Sequence, residues 1–308
     1  MYMNRFLKGI LIAAIAVVPA VAGATGQNEN VAAVKVAACD RADLPGVNFH
    51  DMARDTVRIT ELLKKGLRED TRTPGQMVAL MGREFLGTPY VAHTLEGSTE
   101  LLRVNLDELD CSTFMETAVA LAMTVNERRG SWHDYLRNLE RIRYRSGVMD
   151  GYASRLHYVA DWVSNNVYRG NVLDASLLFP DTDYMVKTID FMSEHRNLYP
   201  ALADSATLEA IKHVENGYVN HRFPYIKASR LGRRDVMASF RDGDMVAFMT
   251  NMRGLDVSHW GIVVLDSDGV PHVMHASSSG GKVVLTDGSL ADFVKRNGYP
   301  GVRVLRLR

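Results

Sequence analysis

The chain has 308 residues, 46% of them apolar, and its 36 lysines and arginines are balanced by 36 aspartates and glutamates. That is enough for one large domain or two small ones with a sizeable core, and the missing basic field argues against nucleic acid as a partner. With the charges balanced, the expected partner is a small molecule of mixed polarity, and two cysteines, Cys39 and Cys111, are too few for a disulfide framework in an exported protein.

Arg5 and Lys8 precede an uncharged apolar run over 9–22 that ends in the small residues Ala20-Val21-Ala22-Gly23-Ala24. This pattern predicts a secretory signal peptide over 1–24, cleaved near Ala22 or Ala24 and too short for a comfortable membrane span; an uncleaved anchor is the alternative. The mature chain is then exported, with no stable membrane insertion. Val36-Ala37-Ala38-Cys39 resembles a lipoprotein box, yet polar residues from Asn28 to Lys35 separate it from the apolar run; lipidation of Cys39 is discounted but stays open. Residues 25–48 lack periodicity and read as a linker, leaving 49–308 as one domain.

Helices are expected over 51–67, where Val57, Ile59, Leu62 and Leu63 share a side, and over 74–85, with Thr73 as N-cap and Pro74 in the first helical position. Leu86-Gly87-Thr88-Pro89-Tyr90 reverses the chain. From Phe114 the apolar residues recur with helical spacing to about Met123, which puts Asp110 at the N-cap and Cys111 in the first turn. A charged helix follows over 126–145, then a loop-rich stretch over 165–200 and a helix over 203–215. After Asp242-Gly243-Asp244, strands are expected at Met245 to Phe248, Ser258 to Val264, His272 to Ala276, Val283 to Leu285, and Val302 to Leu307, the last closing the sheet. The predicted class is α+β: N-terminal helices and the Cys111 helix packed on a C-terminal antiparallel sheet, with 125–240 a helical and looped insertion.

A cysteine at a helix N-terminus sits at the positive end of the macrodipole, which favours the thiolate. His259, at the start of its strand, can draw the thiol proton, and His275, on the return of the next hairpin, can orient that ring. Strand alternation sends His272 to the opposite face. The Cys111 amide can donate to an oxyanion, and Tyr90 offers a second polar contact. Taken singly, Cys111 reads as an ordinary buried residue and each histidine as a satisfied sheet residue; their combination raises the chemical reading. No zinc-protease helix motif is present, so neither metal nor cofactor is expected.

Four linked segments, Asp110-Cys111-Ser112-Thr113-Phe114, Gly243-Asp244-Met245-Val246-Ala247-Phe248, Ser258-His259-Trp260-Gly261-Ile262 and His275-Ala276-Ser277, resemble the NlpC superfamily of papain-like cysteine hydrolases of the bacterial cell wall. Thr113 departs from it, standing where a glycine is usual, as does the long separation of helix and sheet. Phe85-Leu86-Gly87-Thr88-Pro89-Tyr90, Thr94-Leu95-Glu96 and Ser154-Arg155-Leu156-His157-Tyr158 resemble one branch, the muramoyl-L-alanine amidase-like family, formerly a domain of unknown function. The resemblance implies a papain-like fold and a catalytic set of Cys111, His259 and His275. It also implies a periplasmic amidase that splits the bond between (1,6-anhydro-)N-acetylmuramic acid and L-alanine in muropeptides, through a thioester. Tyr90, Glu96, Asp110, Arg155, His157 and Asp161 are expected at the substrate rim, although Arg155 could instead cap a helix or pair with Asp161. A D-glutamyl-diamino acid endopeptidase and a non-catalytic wall-binding module are the competing expectations.

Overall fold

Residues 46–71 and 73–308 are described by the computed structural model; the expected signal peptide, Cys39 and nearly all of the linker lie outside them. Strand β1 (Val47–Phe49) begins within the expected linker and pairs in parallel with β2 (Leu102–Val104). Between them run α1 (Met52–Gly66) and α2 (Pro74–Arg83). The start of α2 is fixed by a capping box, in which Thr73 Oγ1 accepts from the Gln76 amide and the Gln76 side chain returns to the Thr73 amide.

The central helix α3 (Cys111–Asn126) runs past Met123, and every residue from Thr113 to Val125 is buried. A helix buried on all sides needs neighbours on all sides. It has them in α1, α2 and α4 (Trp132–Arg143), and in strands β7 (Val257–Leu265) and β8 (Pro271–Ser277). Helix α4 packs by Tyr135, Leu136, Leu139 and Ile142 as its spacing suggested, and its Arg143 is buried too, against Glu116 of α3 at 2.6 Å.

The C-terminal strands β6 (Met245–Met249), β7, β8, β9 (Lys282–Leu285) and β10 (Gly301–Leu307) fall where the alternation placed them. Two expectations need correction. The 165–200 stretch is not simply looped, since it carries β3 (Val172–Asp174) and β4 (Asp183–Lys187), and β5 (His221–Lys227) follows. Strand β10 does not close the sheet: it lies inside, between β5 and β6, in the order β4-β5-β10-β6-β7-β8-β9, with β3 also paired to β10. All pairings in this eight-stranded sheet are antiparallel. The 125–240 stretch is therefore built into the sheet. It also supplies α5 (Val159–Tyr168), α6 (Phe191–Glu194), α7 (Ser205–Asn216) and α8 (Arg234–Met237).

One face of the sheet is covered by α9 (Leu290–Asn297), where Leu290, Phe293 and Val294 meet Phe248, Val263, Val273 and Val302. The other face takes α2 and α3: a Cβ added at Gly82 would meet Met274 Cε, Ile262 Cδ1 and Phe114 Cζ. The class is mixed α+β with a mostly antiparallel sheet. Among the described residues no helix is long and apolar enough to cross a membrane.

Candidate active site

Asp110 is the N-cap of α3: its Oδ1 accepts from the amides of Ser112 (2.9 Å) and Thr113 (2.8 Å), while Thr113 Oγ1 accepts from the Asp110 amide at 2.8 Å. Thr113 thus closes a capping box, a use for a side chain at the position where glycine is usual in the resembling superfamily. Cys111 follows as the first helical residue, free and partly exposed. Its thiol is hydrogen-bonded by Ser112, by the Trp260 main-chain amide and by its own amide, and all three favour the thiolate. Burial, and next the Asp110 carboxylate, outweigh them and push the thiol up to about 12. At rest the group is a thiol, against the expectation from the helix dipole alone.

The Trp260 amide joins α3 to β7, and His259 is the residue before it. His259 pairs with Phe248 across β6, next to an irregularity between Phe248 and Met249. Its Nε2 lies 2.8 Å from Nδ1 of His275 on β8, the rings edge-on at 84°. Gly261 makes room for this: a Cβ there would stand 2.8 Å from the Met274 carbonyl and 3.1 Å from His275 Cβ. Phe248 stacks on His259 (centroids 5.8 Å apart), Phe293 lies 4.9 Å from His275, and Tyr299 lies 4.9 Å from Phe248. This aromatic wall desolvates both imidazoles. Burial, then His275, brings His259 down to about 3, and burial brings His275 to about 4 against the pull of the Ala276 backbone. His272 points elsewhere as alternation required, with Nδ1 3.1 Å from the Thr286 carbonyl.

Tyr90 reaches the same place by a parallel bridge to Leu109. Its hydroxyl is pushed up by burial, then by Cys111 and Asp110, so it stays a neutral donor. Tyr299 is raised likewise, by burial and then Cys111. The remaining expected rim residues have protein partners. Arg155, 5% exposed, donates to Glu96 at 2.7 Å, lies 3.5 Å from Glu100 and stacks over Tyr152. The His157 ring, driven well below its usual value by burial, is bound to the Tyr152 carbonyl at 2.8 Å. Asp161 pairs with Arg145, at 3.1 and 2.6 Å, and accepts from Tyr218, so its pairing with Arg155 does not form. Ser112, Trp260, Trp162, Phe248 and Tyr299 do not stand out as site residues from sequence. Ser112, Trp260 and Phe248 lie inside the quoted motifs, whereas Tyr299 follows a helix cap and carries no signal.

A thiol at a helix start, an amide of the facing strand on its sulfur and a linked histidine pair on that strand and the next make up the candidate site of this α+β chain. Residues 80–302 match the N-acetylmuramoyl-L-alanine amidase-like family (AmiA-like), and the chain belongs to it. It is 37% identical to an N-acetylmuramoyl-L-alanine amidase from Bacteroides uniformis whose crystal structure superposes with a TM-score of 0.72, over 76% of this chain and 99% of that one. A Bacteroides fragilis structure, provisionally named a xylanase, is 38% identical with a TM-score of 0.69, over 74% of this chain and 100% of that one. A Legionella pneumophila protein of the DUF1460 family, 19% identical over 83% of this chain and 95% of that one, shares the fold with a TM-score of 0.62. No curated protein matches the chain.

Proposed function

We propose that this chain is a cysteine amidase of the papain-like NlpC superfamily. It hydrolyses the lactyl amide between (1,6-anhydro-)N-acetylmuramic acid and L-alanine in muropeptides, and works in the periplasm after export. The observation that carries this reading is the Cys111 sulfur under the Trp260 amide, one residue from a histidine whose Nε2 is occupied by His275. With Nε2 donating to His275 Nδ1, the lone pair of His259 lies on Nδ1, where a base for the thiol is needed.

His259 Nδ1 takes the thiol proton as Sγ bonds to the lactyl carbonyl carbon. The carbonyl oxygen gains negative charge, met by the Cys111 amide and the Tyr90 hydroxyl. The C–N bond then breaks, the proton passes from His259 to the leaving L-alanyl amine, and the sugar stays on sulfur as a thioester. Water attacks that thioester with His259 again taking a proton, the C–S bond breaks, and the proton returns to Sγ. The signal peptide expected from the sequence over 1–24 supports the location. Glu96, whose side chain stays 34% exposed beside its buried partner Arg155, is the expected rim group left to meet the charged end of a stem peptide.

The test is mass spectrometry of products from one defined anhydro-muropeptide. The expected products are a sugar with a free lactyl carboxyl group and an intact L-alanyl peptide, with Cys111→Ala and His259→Ala silent. A sugar still bearing a dipeptide would make the chain an endopeptidase. Undiminished turnover by Cys111→Ala would overturn the cysteine mechanism.

A further inference from the structure

We propose that Ser112 is a catalytic residue: the Trp260 indole fixes its hydroxyl as an acceptor on one side, which turns its proton onto the Cys111 sulfur and holds the thiolate as it forms. The inference rests on Cys111 being the nucleophile.

Trp260 Nε1 lies 3.3 Å from Ser112 Oγ, at the long end of the hydrogen-bonding range. An indole N–H can only donate, so the serine oxygen must accept there, and its single proton is left for another partner. The neighbouring sulfur takes it, and this bond favours the thiolate. Trp260 therefore serves the sulfur twice, by its main-chain amide directly and by its indole through Ser112. The indole is held in turn. Trp260 is 2% exposed and Trp162 of α5, 1% exposed, meets it edge to face at 5.3 Å and 82°. Trp162 lies in the 125–240 stretch, which gives that stretch a part in the site.

Such donors matter because the other surroundings oppose a thiolate. Asp110, the N-cap of the same helix, places a carboxylate beside the sulfur, and burial acts in the same direction. His259 and His275, from β7 and β8, are held neutral and supply no positive charge before attack. The dipoles of Ser112 and of the two amides are the counterweight. Ser112 stays neutral throughout and gives up no proton, so Trp260 and Trp162 are positioning residues.

The test uses the full chain with Ser112→Ala, Ser112→Thr and Trp260→Phe. Iodoacetamide alkylation is followed on the Cys111 peptide from about pH 7 to 12, a window that reaches the raised thiol, and reading that one peptide keeps Cys39 from contributing. Ser112→Ala is expected to slow neutral-pH alkylation about tenfold, the effect of one hydrogen bond to a charged group, and to move the thiol titration upward. Ser112→Thr keeps a hydroxyl and is expected to restore the rate. Trp260→Phe should slow it about threefold. With muropeptide, kcat falls in Ser112→Ala while KM holds. A wild-type titration in Ser112→Ala, or an equal loss in Ser112→Thr, overturns the proposal, and a wild-type titration in Trp260→Phe overturns the indole's part. Should Ser112→Ala fail to fold, a slowed Trp260→Phe beside a wild-type-like Ser112→Thr supports the proposal, and the reverse pattern overturns it. Failure of the amidase reading is distinguishable, because it shows as turnover surviving Cys111→Ala, which the alkylation titration does not read.

Discussion

His259 Nε2 lies 2.8 Å from His275 Nδ1, and burial keeps both rings neutral, at about 3 and about 4. A hydrogen bond between neutral imidazoles needs one donor and one acceptor nitrogen, so the pair selects a tautomer as well as an orientation. Together with a thiol raised to about 12, the resting site holds a neutral thiol and a neutral histidine pair. On the proposed mechanism, proton transfer then belongs to the attack step itself.

That state fixes the pH dependence. An unfolded histidine titrates near 6.5 and an unfolded thiol near 8.5. Between about 3 and 6.5 the unfolded chain binds protons that the folded histidine pair does not, so stability falls as pH falls through this window. Between the unfolded thiol value and about 12 the folded chain keeps a proton that the unfolded one loses, so stability falls as pH rises there. Urea unfolding at pH 7, 4.5 and 10 is expected to give the highest midpoint at pH 7. The acid limb of kcat/KM should fall near pH 4, not near the ordinary histidine value. An acid limb centred near 6.5 would contradict a neutral buried pair.

His275→Ala removes the ring nitrogen that meets His259 Nε2, and kcat is expected to drop about a hundredfold with little change in KM. His275→Gln offers a side-chain oxygen to His259 Nε2 and should recover part of that loss, whereas His275→Leu should not. Equal losses in Gln and Leu would show that the ring acts by packing alone, against Phe293.

Two glycines with nearly the same backbone angle separate conformational strain from close approach. Gly243 has φ +81° and its missing Cβ would stand 1.7 Å from the Gly75 carbonyl oxygen, where the start of α2 meets the turn before β6; Gly269, φ +78°, has nothing within 4 Å. Gly269→Ala bears only the left-handed penalty, about 1 to 2 kcal/mol. Gly243→Ala must also push α2 off the turn, and a loss above about 3 kcal/mol is expected from urea unfolding. Similar losses at the two positions would refute the contact.

What is legible in the sequence follows from local rules. The cap on α3, the Thr73 cap on α2 and the strands around His259 and His275 each come from short-range chemistry and fall where expected. What is not legible is set by long-range packing. Strand β4, Asp183-Tyr184-Met185-Val186-Lys187, is five residues at the sheet edge with Tyr184 and Val186 exposed, so its pattern does not stand out from loop. The interior place of β10 depends on β5 arriving from the 125–240 stretch, which no local pattern encodes. The resting thiol departs from expectation for a related reason: the helix dipole is visible in sequence, but the burial that outweighs it is not.

Lys187, at the end of β4, donates from Nζ to the carbonyls of Thr250, Met252 and Leu255, in the connection that leads into β7. The same connection is bound again where the amides of Asp190 and Phe191 both donate to the Gly254 carbonyl. Asp256, 2% exposed, ends it by accepting from the Ala160 amide in the first turn of α5. Lys187→Met keeps the apolar stem but leaves three carbonyls without their donor, and a loss of about 2 to 4 kcal/mol is expected by urea unfolding. The damage should be local, because one side of the connection remains tied by Asp190 and Asp256. Hydrogen exchange is expected to accelerate over 250–256 while amides of α1 keep their protection. Because the freed connection feeds directly into the strand bearing His259, kcat should fall more than KM rises. Unchanged exchange over 250–256 in Lys187→Met would show that the ammonium does not hold this segment, and that His259 is placed by the sheet alone.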